Sequence, residues 1–389
     1  MEKELFSTAL GLSEPVYINE IVFDNTDGEL HIHMDFRRGG KFTCSECGGE
    51  NLAVYDTVEK TWRHLNFWQY KTYIHMRTPR TSCAKCGVRL WTPPWSREQS
   101  GFTLLFEAFV MALAKDMPVS RIASIVGEHD TLIWRIIQYH VNSAYAKMDY
   151  RAVENIGCDE TSSRKGHNYV TIFADMDSGE VIFATKGKDS GTIQAFSEEL
   201  PKHAAQAEQI KEVTMDMSPA FISGVNEHLA EAIITFDKFH VMQSLNKALD
   251  EVRRNEIKQN PLLTGSRYIW LKNPENLTAK QKEQLETLRY ENLKTAKVYQ
   301  MKLTFQDIYR TVMEPEAAEE AIKKWLSWAV RSRLEPVKRF AKTVKTHFSG
   351  IIRYFTSRLT SGAMEGINSR IQEIKRRAEG SATFIISLP

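Results

Sequence analysis

The sequence predicts a multidomain α+β chain: a metal-stapled β module, a short helical segment, and an α/β domain interrupted by an all-α stretch. Three observations predict it. Two CxxC pairs lie in the first quarter of the chain. Short β-rich runs between 152 and 237 end on carboxylates, with helical patterns between them. From about 240 to 345 strand signals nearly vanish. At 389 residues the chain has room for two or three domains and a sizeable core. No apolar run approaches the roughly 18 residues of a membrane helix. Met1-Glu-Lys-Glu-Leu5 also lacks the basic start and apolar core of a signal peptide. A cytoplasmic, nucleoid-associated location without a membrane partner is expected. In that compartment the paired cysteines read as metal ligands before disulfides.

Residues 1–95 read as a zinc-ribbon-like domain. Tyr17 to Asp24 and Glu29 to Phe36 alternate apolar and polar residues around Asp27-Gly28, a hairpin signal. Cys44-Ser-Glu-Cys47 and Cys83-Ala-Lys-Cys86 are each followed by glycine, which permits the tight turn of a metal knuckle. Four thiolates give closed tetrahedral coordination that suits structural Zn²⁺ and leaves no open position for chemistry. Strand-like residues from Trp62 to Met76 fill the interval between knuckles, so a long hairpin is expected there. His64 and His75 read as ordinary residues, and Thr92-Pro-Pro-Trp-Ser96 as a linker.

Residues 96–150 read as a helix-turn-helix DNA-binding domain. Phe102 to Ala114 is apolar at helical spacing, and Asp116-Met-Pro118 breaks it. Ser120 is the expected cap of a short helix ending at Gly127, and Asp130 or Thr131 that of a longer one through Ile133, Ile136 and Ile137. Three helices with a glycine turn before the last match an arrangement whose third helix enters the major groove. Arg121, Arg135 and Gln138 are the candidate phosphate or base contacts.

Residues 151–389 read as the catalytic domain. Ala152 to Thr161 delivers Asp159 and Glu160 as the strand signal ends; Tyr169 to Ala174 and Val181 to Thr185 follow around Asp175-Met-Asp-Ser-Gly179. A helix opens near Thr192, and two further strands stop on Asp216 and Asp237. This order fits the ribonuclease-H-like fold, in which the first and fourth strands are neighbours. Asp159 and Asp216 would then face each other. Paired carboxylates repel, and a pair of Mg²⁺ (or Mn²⁺) ions about 3.5–4 Å apart reverses that penalty and serves phosphoryl transfer. Asp175 and Asp177 belong to a turn. The segment 241–345 reads as a helical insertion with Leu245, Leu249, Val252, Trp325 and Trp328 in its core; Thr278 caps a run continuing towards Tyr309.

Near the C-terminus, Glu365 enters a basic helix on one face with Asn368 and Gln372, while Ile367, Ile371 and Ile374 form an apolar stripe. Gly362 and Gly366 flank Glu365 and suggest a close approach there. Arg370, Lys375, Arg376 and Arg377 are candidate phosphate contacts. Between Arg331 and Gly380 twelve Lys or Arg face four Asp or Glu, against a net charge of +2 for the whole chain. Such a basic segment suits a polyanion partner.

These features together resemble a transposase of the ISL-three insertion-sequence family. The resemblance rests on the paired knuckles, the helix-turn-helix, and the phrases Ile156-Gly-Cys-Asp-Glu160, Met215-Asp-Met-Ser-Pro219, Phe236-Asp-Lys-Phe-His240 with Asn246 to Arg253, and Glu365-Gly-Ile-Asn368. It implies a DDE triad falling on Asp159, Asp216 and Glu365. It also implies a DxxH element, here Asp237 and His240, with Asn368 as a further accessory residue and Asp237 as the rival for the second acid. The implied activity is metal-dependent cleavage of the element's inverted repeats and strand transfer into target DNA, by a homo-oligomer on double-stranded DNA. Family members usually continue past the basic helix with an aromatic-rich segment, where this chain has Gly380 to Pro389. A transposase-derived DNA-binding protein without catalysis is therefore the second reading, and a nuclease that joins no strands the third.

Overall fold

A computed structural model describes residues 2–164, 168–291, 293–359 and 362–377. The chain divides into two compact units, one built on Met1–Ser143 and the other on Ala144–Glu373.

In the first unit α1 (Glu2–Ala9) precedes a five-stranded sheet. β1 (Val16–Asp24) and β2 (Glu29–Phe36) form the expected antiparallel hairpin, turning where Gly28 takes a positive φ. β3 (Val54–Phe67) and β4 (Tyr70–Cys83) form the long hairpin; β4 also runs parallel to β2, and β5 (Gly87–Leu90) returns on β4. Alternation sends Leu30, Ile32, Met34, Trp62, Ile74 and Met76 to one buried face. The stretch Thr92–Ser96 is not a free linker. Trp95 meets Trp62 and Trp91 edge-on, and its carbonyl accepts from the Leu104 N–H. Burying aromatic area outweighs the extended preference of the two prolines.

α2 (Leu104–Ala114), α3 (Val119–Val126) and α4 (Asp130–Tyr145) follow. Thr103 caps α2 by accepting from the Phe106 N–H. The caps expected at Ser120 and at Asp130 or Thr131 are corrected. Pro118 precedes α3 with extended backbone, so Ser120 lies inside the first turn. The His129 ring accepts from the Thr131 N–H ahead of α4. Proline's fixed φ suits the position before a helix as well as a hydroxyl does, and an imidazole nitrogen can replace a carboxylate as acceptor. Gly127 ends α3 at φ +70 as expected. The helices bury Phe106, Val110, Ile122, Val126, Ile133 and Ile136 together.

Two buried charges lock this unit, and neither was foreseen. Arg63, 3% exposed, leaves β3 to pair with Glu128 at 3.0 Å and to donate to the Val126 carbonyl at 3.1 Å. Glu107 is fully buried in α2; it accepts from Arg97 Nε at 2.9 Å and Ser100 Oγ at 2.7 Å, and pairs with His140 at 2.7 Å. A buried carboxylate is tolerable when each lone pair finds a donor.

The second unit carries β6 (Asn155–Arg164), β7 (Asn168–Asp175), β8 (Val181–Lys186), α5 (Ser190–Glu199), β9 (Glu212–Met215), α6 (Pro219–His228) and β10 (Ile233–Phe236). The strand order is β10-β9-β6-β7-β8. β6, β7 and β8 form an antiparallel meander, and β9 and β10 join parallel on the other side of β6. On one face Phe173 stacks on Phe196 of α5 at 4.5 Å, and Gly224 of α6 lets Ile193 come close. The other face, lined by Val170, Ile172, Ala174 and Ala184, is covered by Met364, Ile367 and Ile371. Full burial of each large apolar side chain stabilises by about 1.5–3 kcal/mol.

From β10 onward the described residues hold helices and turns but no strand: α7 (Lys238–Ile257), α8 (Arg267–Leu271), α9 (Ala279–Arg289), α10 (Lys294–Thr311), α11 (Pro315–Arg331), α12 (Glu335–Thr346), α13 (Phe348–Ser357) and α14 (Gly362–Arg377). Thr278 caps α9 in a reciprocal box with Gln281, as its sequence suggests. The run towards Tyr309 is two helices rather than one. Leu245, Leu249, Val252, Trp270 and Trp325 are buried, and Trp328 packs against them.

Candidate active site and zinc centre

The four cysteine sulfurs of the first unit lie within 4.8 Å of one another. Gly48 and Gly87, at φ +71 and +72, close the two knuckles. The second knuckle is also the turn joining β4 to β5, where Cys83 pairs with Gly87. The Cys86 and Lys85 backbone N–H groups pull the Cys83 thiol down to about 7. A closed set of four sulfur donors fits structural zinc and excludes a catalytic role. His64 donates or accepts at Thr103 Oγ1 over 2.9 Å, and burial lowers its pKa to about 4. His75 stacks on His33 and contacts His31 at 3.0 Å. Neither histidine belongs to the zinc set.

Within the second unit the acids converge through sheet register. β6 does not end at Asp159, as its sequence suggests, but continues to Arg164 along β7. What ends near Asp159 is the parallel pairing, whose last partners are Gly157 and Thr214. Continued two residues past its end, that register would bring Asp159 level with Asp216, which follows β9, and the charge of Asp216 does reach the Asp159 carboxyl. The polar run Thr161-Ser-Ser-Arg164 hid the strand's length, because its ladder serves β7 alone. Asp237 lies level with Asp216 by the same rule, since Phe236 pairs with Met215.

Asp159 accepts from the Glu160 N–H at 2.8 Å and from Asn368 Nδ2 at 2.7 Å. His240 Nε2 stands 3.8 Å from one of its oxygens and 4.0 Å from Asp237 Oδ2. Burial raises the Asp159 pKa; His240 and the Glu160 N–H oppose the rise, and Asp216 and Asp237 add to it. Glu160 is also raised, first by burial, with Lys188 opposing. Asp216 Oδ1 accepts from the Ser218 N–H at 2.9 Å, so it shapes the turn into α6 with one oxygen. Asp237 is 2% exposed, and among the described residues neither its Oδ2 nor the buried Asn368 Oδ1 has a hydrogen-bond partner.

Such orphans cost about 1–3 kcal/mol each unless something outside the chain meets them. Oxygen donors carrying negative charge fit Mg²⁺ or Mn²⁺. The acids are spread more widely than the thiols: among the described residues only the cysteines bring three or more donors within 4.8 Å. Mutual repulsion of carboxylates favours that spread.

α14 is laid on β6 by two amides and a notch. Asn368 holds Asp159, and Gln372 donates to Thr161 Oγ1 at 2.8 Å. Met364 fills the space over Gly157, where a Cβ would meet Met176 Sδ at 2.4 Å and Met364 Cγ at 3.1 Å. The close approach expected at Gly366 is thus found at Gly157; Gly366 is exposed with nothing near its Cβ position. The backbone of Glu365 belongs to α14, but its side chain lies outside the described residues, as do those of Ile374, Lys375, Arg376 and Arg377. Arg370 is exposed on α14, and Arg121, Arg135 and Gln138 are exposed on α3 and α4. Asp175 accepts from the N–H groups of Asp177 and Ser178, the turn role expected of it.

Replacing Gly157 by valine is expected to lift α14 off β6 and to destabilise the protein by about 1–3 kcal/mol, the usual cost of overpacking, read as a fall in Tm. Met364→Ala in the same chain should restore part of the loss by vacating the notch. Equal Tm for wild type and Gly157→Val would refute the contact's role.

A transposase family model of the DDE type and ISL3 group matches residues 156–385, more than half of the chain. The helix-turn-helix domain of transposase family ISL3 matches residues 92–141. The zinc-finger of transposase IS204/IS1001/IS1096/IS1165 matches residues 41–86. Transposases for insertion sequence element IS1557 from two strains of Mycobacterium tuberculosis are each 27% identical, over 97% of this chain and 91% of theirs. The transposase for IS1001 from Bordetella parapertussis is 28% identical, over 87% of this chain and 84% of its own.

Proposed function

The chain belongs to the ISL3 transposase family, and we propose that Asp159, Asp216 and Glu365 are its DDE triad. In this reading they process the inverted-repeat ends of an insertion sequence. The observation that carries the assignment is the Asn368 amide bonded to Asp159, a carboxyl that also feels the charge of Asp216. Helical spacing puts position 365 one turn before Asn368 on the same face. Asp237, His240 and Asn368 are accessory: His240 stands 3.8 Å from an Asp159 oxygen, and Asn368 fixes the orientation of its carboxylate.

The strand order agrees with a ribonuclease-H-like fold, and helices α7 to α12 with an all-α insertion at about 241–345. We assign 1–95 to a zinc ribbon, 96–150 to the helix-turn-helix, and 151–389 to the catalytic domain. Arg121, Arg135 and Gln138 would touch the repeats. Arg370, Lys375, Arg376 and Arg377 would neutralise phosphates near the cut. The protein would act as a homo-oligomer on DNA in the cytoplasm.

Two Mg²⁺ or Mn²⁺ ions, held by the three acids, would supply Lewis-acid stabilisation of the attacking and leaving oxygens. The chain supplies position. A water oxygen attacks phosphorus at the element end; the bond from phosphorus to the 3′ oxygen breaks, leaving a 3′-hydroxyl and a 5′-phosphate. That hydroxyl then attacks a target phosphate and displaces its 3′ oxygen, so one phosphodiester is exchanged for another without a covalent protein intermediate. Incubating purified protein with end and target duplexes in Mg²⁺ tests this: nicked ends and joined products are expected. Bound but uncut ends would fit a DNA-binding protein instead, and cut but unjoined ends a nuclease.

The raised Asp159 pKa gives a second test. An acid whose folded pKa exceeds its ordinary 3.8 contributes stability below that value and loses it as pH rises through the folded one. Asp159→Asn is therefore expected to melt above the wild type at pH 7 without divalent ions, with the gap closing as pH falls towards 4. Asn368 can turn its amide so that the orphaned oxygen accepts from the new NH₂. Adding Mn²⁺ should raise the wild-type Tm and leave the variant unmoved; equal rises in both would refute metal binding at Asp159.

A further inference from the structure

We propose that the cavity between α7 and α10 receives a nucleobase extruded from the DNA end. It rests on the reading that the acids beside it process that end. The cavity measures about 550 Å³, within the roughly 300–1,000 Å³ typical of small-molecule sites.

Its position follows from α7. Asp237 and His240 point to the acids, whereas Lys238, Phe239 and Asn246 line the cavity, the last two a helical i, i+7 pair. Phe239 is 47% exposed, a half-open aromatic side chain on the cavity wall. Lys238 lies at 3.3 Å from Tyr354 Oη, and Arg310 pairs with Glu275 at 2.6 Å in a half-exposed contact. Both cations line the same space.

Covered in its wall, three polar atoms lack hydrogen-bond partners among the described residues: Asn246 Oδ1, Gln306 Oε1 and the Tyr309 hydroxyl. Gln306 already donates to Asn273 at 3.0 Å, which leaves its oxygen as the free end. Tyr309 is 8% exposed, and its hydroxyl feels the charge of Asp237, after larger effects from burial and Tyr354. Orphaned amides in an aromatic-walled cavity with cations on its wall match one chemistry. A planar heterocycle stacks, its edge groups meet the amides, and its phosphate meets a cation. An aliphatic ligand would leave the amides unmet, and a bare phosphate would leave the aromatic face unused. Extrusion of one base beside the cut would also turn the strand's phosphate towards Asp159 and Asp216.

The probe is a duplex of the element's terminal repeat with 2-aminopurine placed singly at each position flanking the cut. Binding of the full-length wild type should raise fluorescence about threefold or more at one position, as expected for an unstacked base. Phe239→Ala, at an exposed site, and Gln306→Leu should each reduce that rise at saturating protein. With the base deleted at that position, cleavage by wild type and variants should become equal. Nicking by the wild type without a fluorescence rise at any position overturns the pocket and spares the active-site reading. An undiminished rise in both variants also overturns it. Absence of nicking under all divalent ions overturns the active-site reading, and the pocket with it.

Discussion

Asp159→Ala is expected to abolish strand cleavage, by about 10³-fold or more, while the protein still binds element-end DNA. The effect is large because Asp159 is where the site's elements meet. It lies two residues beyond the last β6 partner of β9, it accepts from Asn368 of α14, and it faces His240 of α7. Removing it deletes a ligand, releases the Asn368 amide and leaves His240 without its closer carboxylate. Folding should survive, because a buried carboxylate with a raised pKa is disfavoured as an anion there. Cleavage and gel-shift assays on one preparation separate the two functions. Wild-type cleavage by the purified variant would refute the assignment, whereas loss of binding together with cleavage would indicate misfolding. Asp216→Ala should match it, and Asp237→Ala should cost less if Asp216 is the second acid.

Removal of zinc has the second largest expected effect. Four thiols within 4.8 Å hold together the two knuckles, and the second knuckle is continuous with β4 and β5. For small ribbons the metal's apparent binding free energy of about 10–16 kcal/mol is folding free energy. Chelation, or Cys83→Ser, should therefore melt the sheet of the first unit. It should also disturb α2 to α4, because Arg63 of β3 is bonded to Glu128 and Val126. End-DNA affinity should fall about 10³-fold or more, to the level of non-specific binding. Metal analysis should return one zinc per chain before treatment. Undiminished affinity after complete zinc loss would show that the ribbon does not support recognition.

Much of this architecture was legible because it is written in local chemistry. The knuckle cysteines with their glycines, the Asp27-Gly28 hairpin and the order of strands and helices each depend on neighbouring residues. That the strands leading to Asp159 and Asp216 are neighbours could be read from the order of elements. What was not legible depends on distant partners. The length of β6 past Asp159 is set by β7, not by the polar residues themselves. The tight approach within the chain falls at Gly157 because Met364 and Met176 arrive from elsewhere, whereas nothing in the chain lies near the Cβ position of Gly366. Thr92–Ser96 looks like a linker until Trp95 finds Trp62 and Trp91. A lone glutamate in the apolar run Leu104 to Ala114 was the available signal for Glu107. Its partners Arg97, Ser100 and His140 are visible only in three dimensions.

Anomalous scattering from Mn²⁺-loaded crystals of the protein on its end DNA is the most direct test. Two peaks about 3.5–4 Å apart, held by Asp159, Asp216 and Glu365, are expected. Peaks held by Asp237 in place of Asp216, or a residue 365 carboxylate roughly 10 Å or more from both ions, well beyond the 2.0–2.1 Å of a ligand bond, would contradict it.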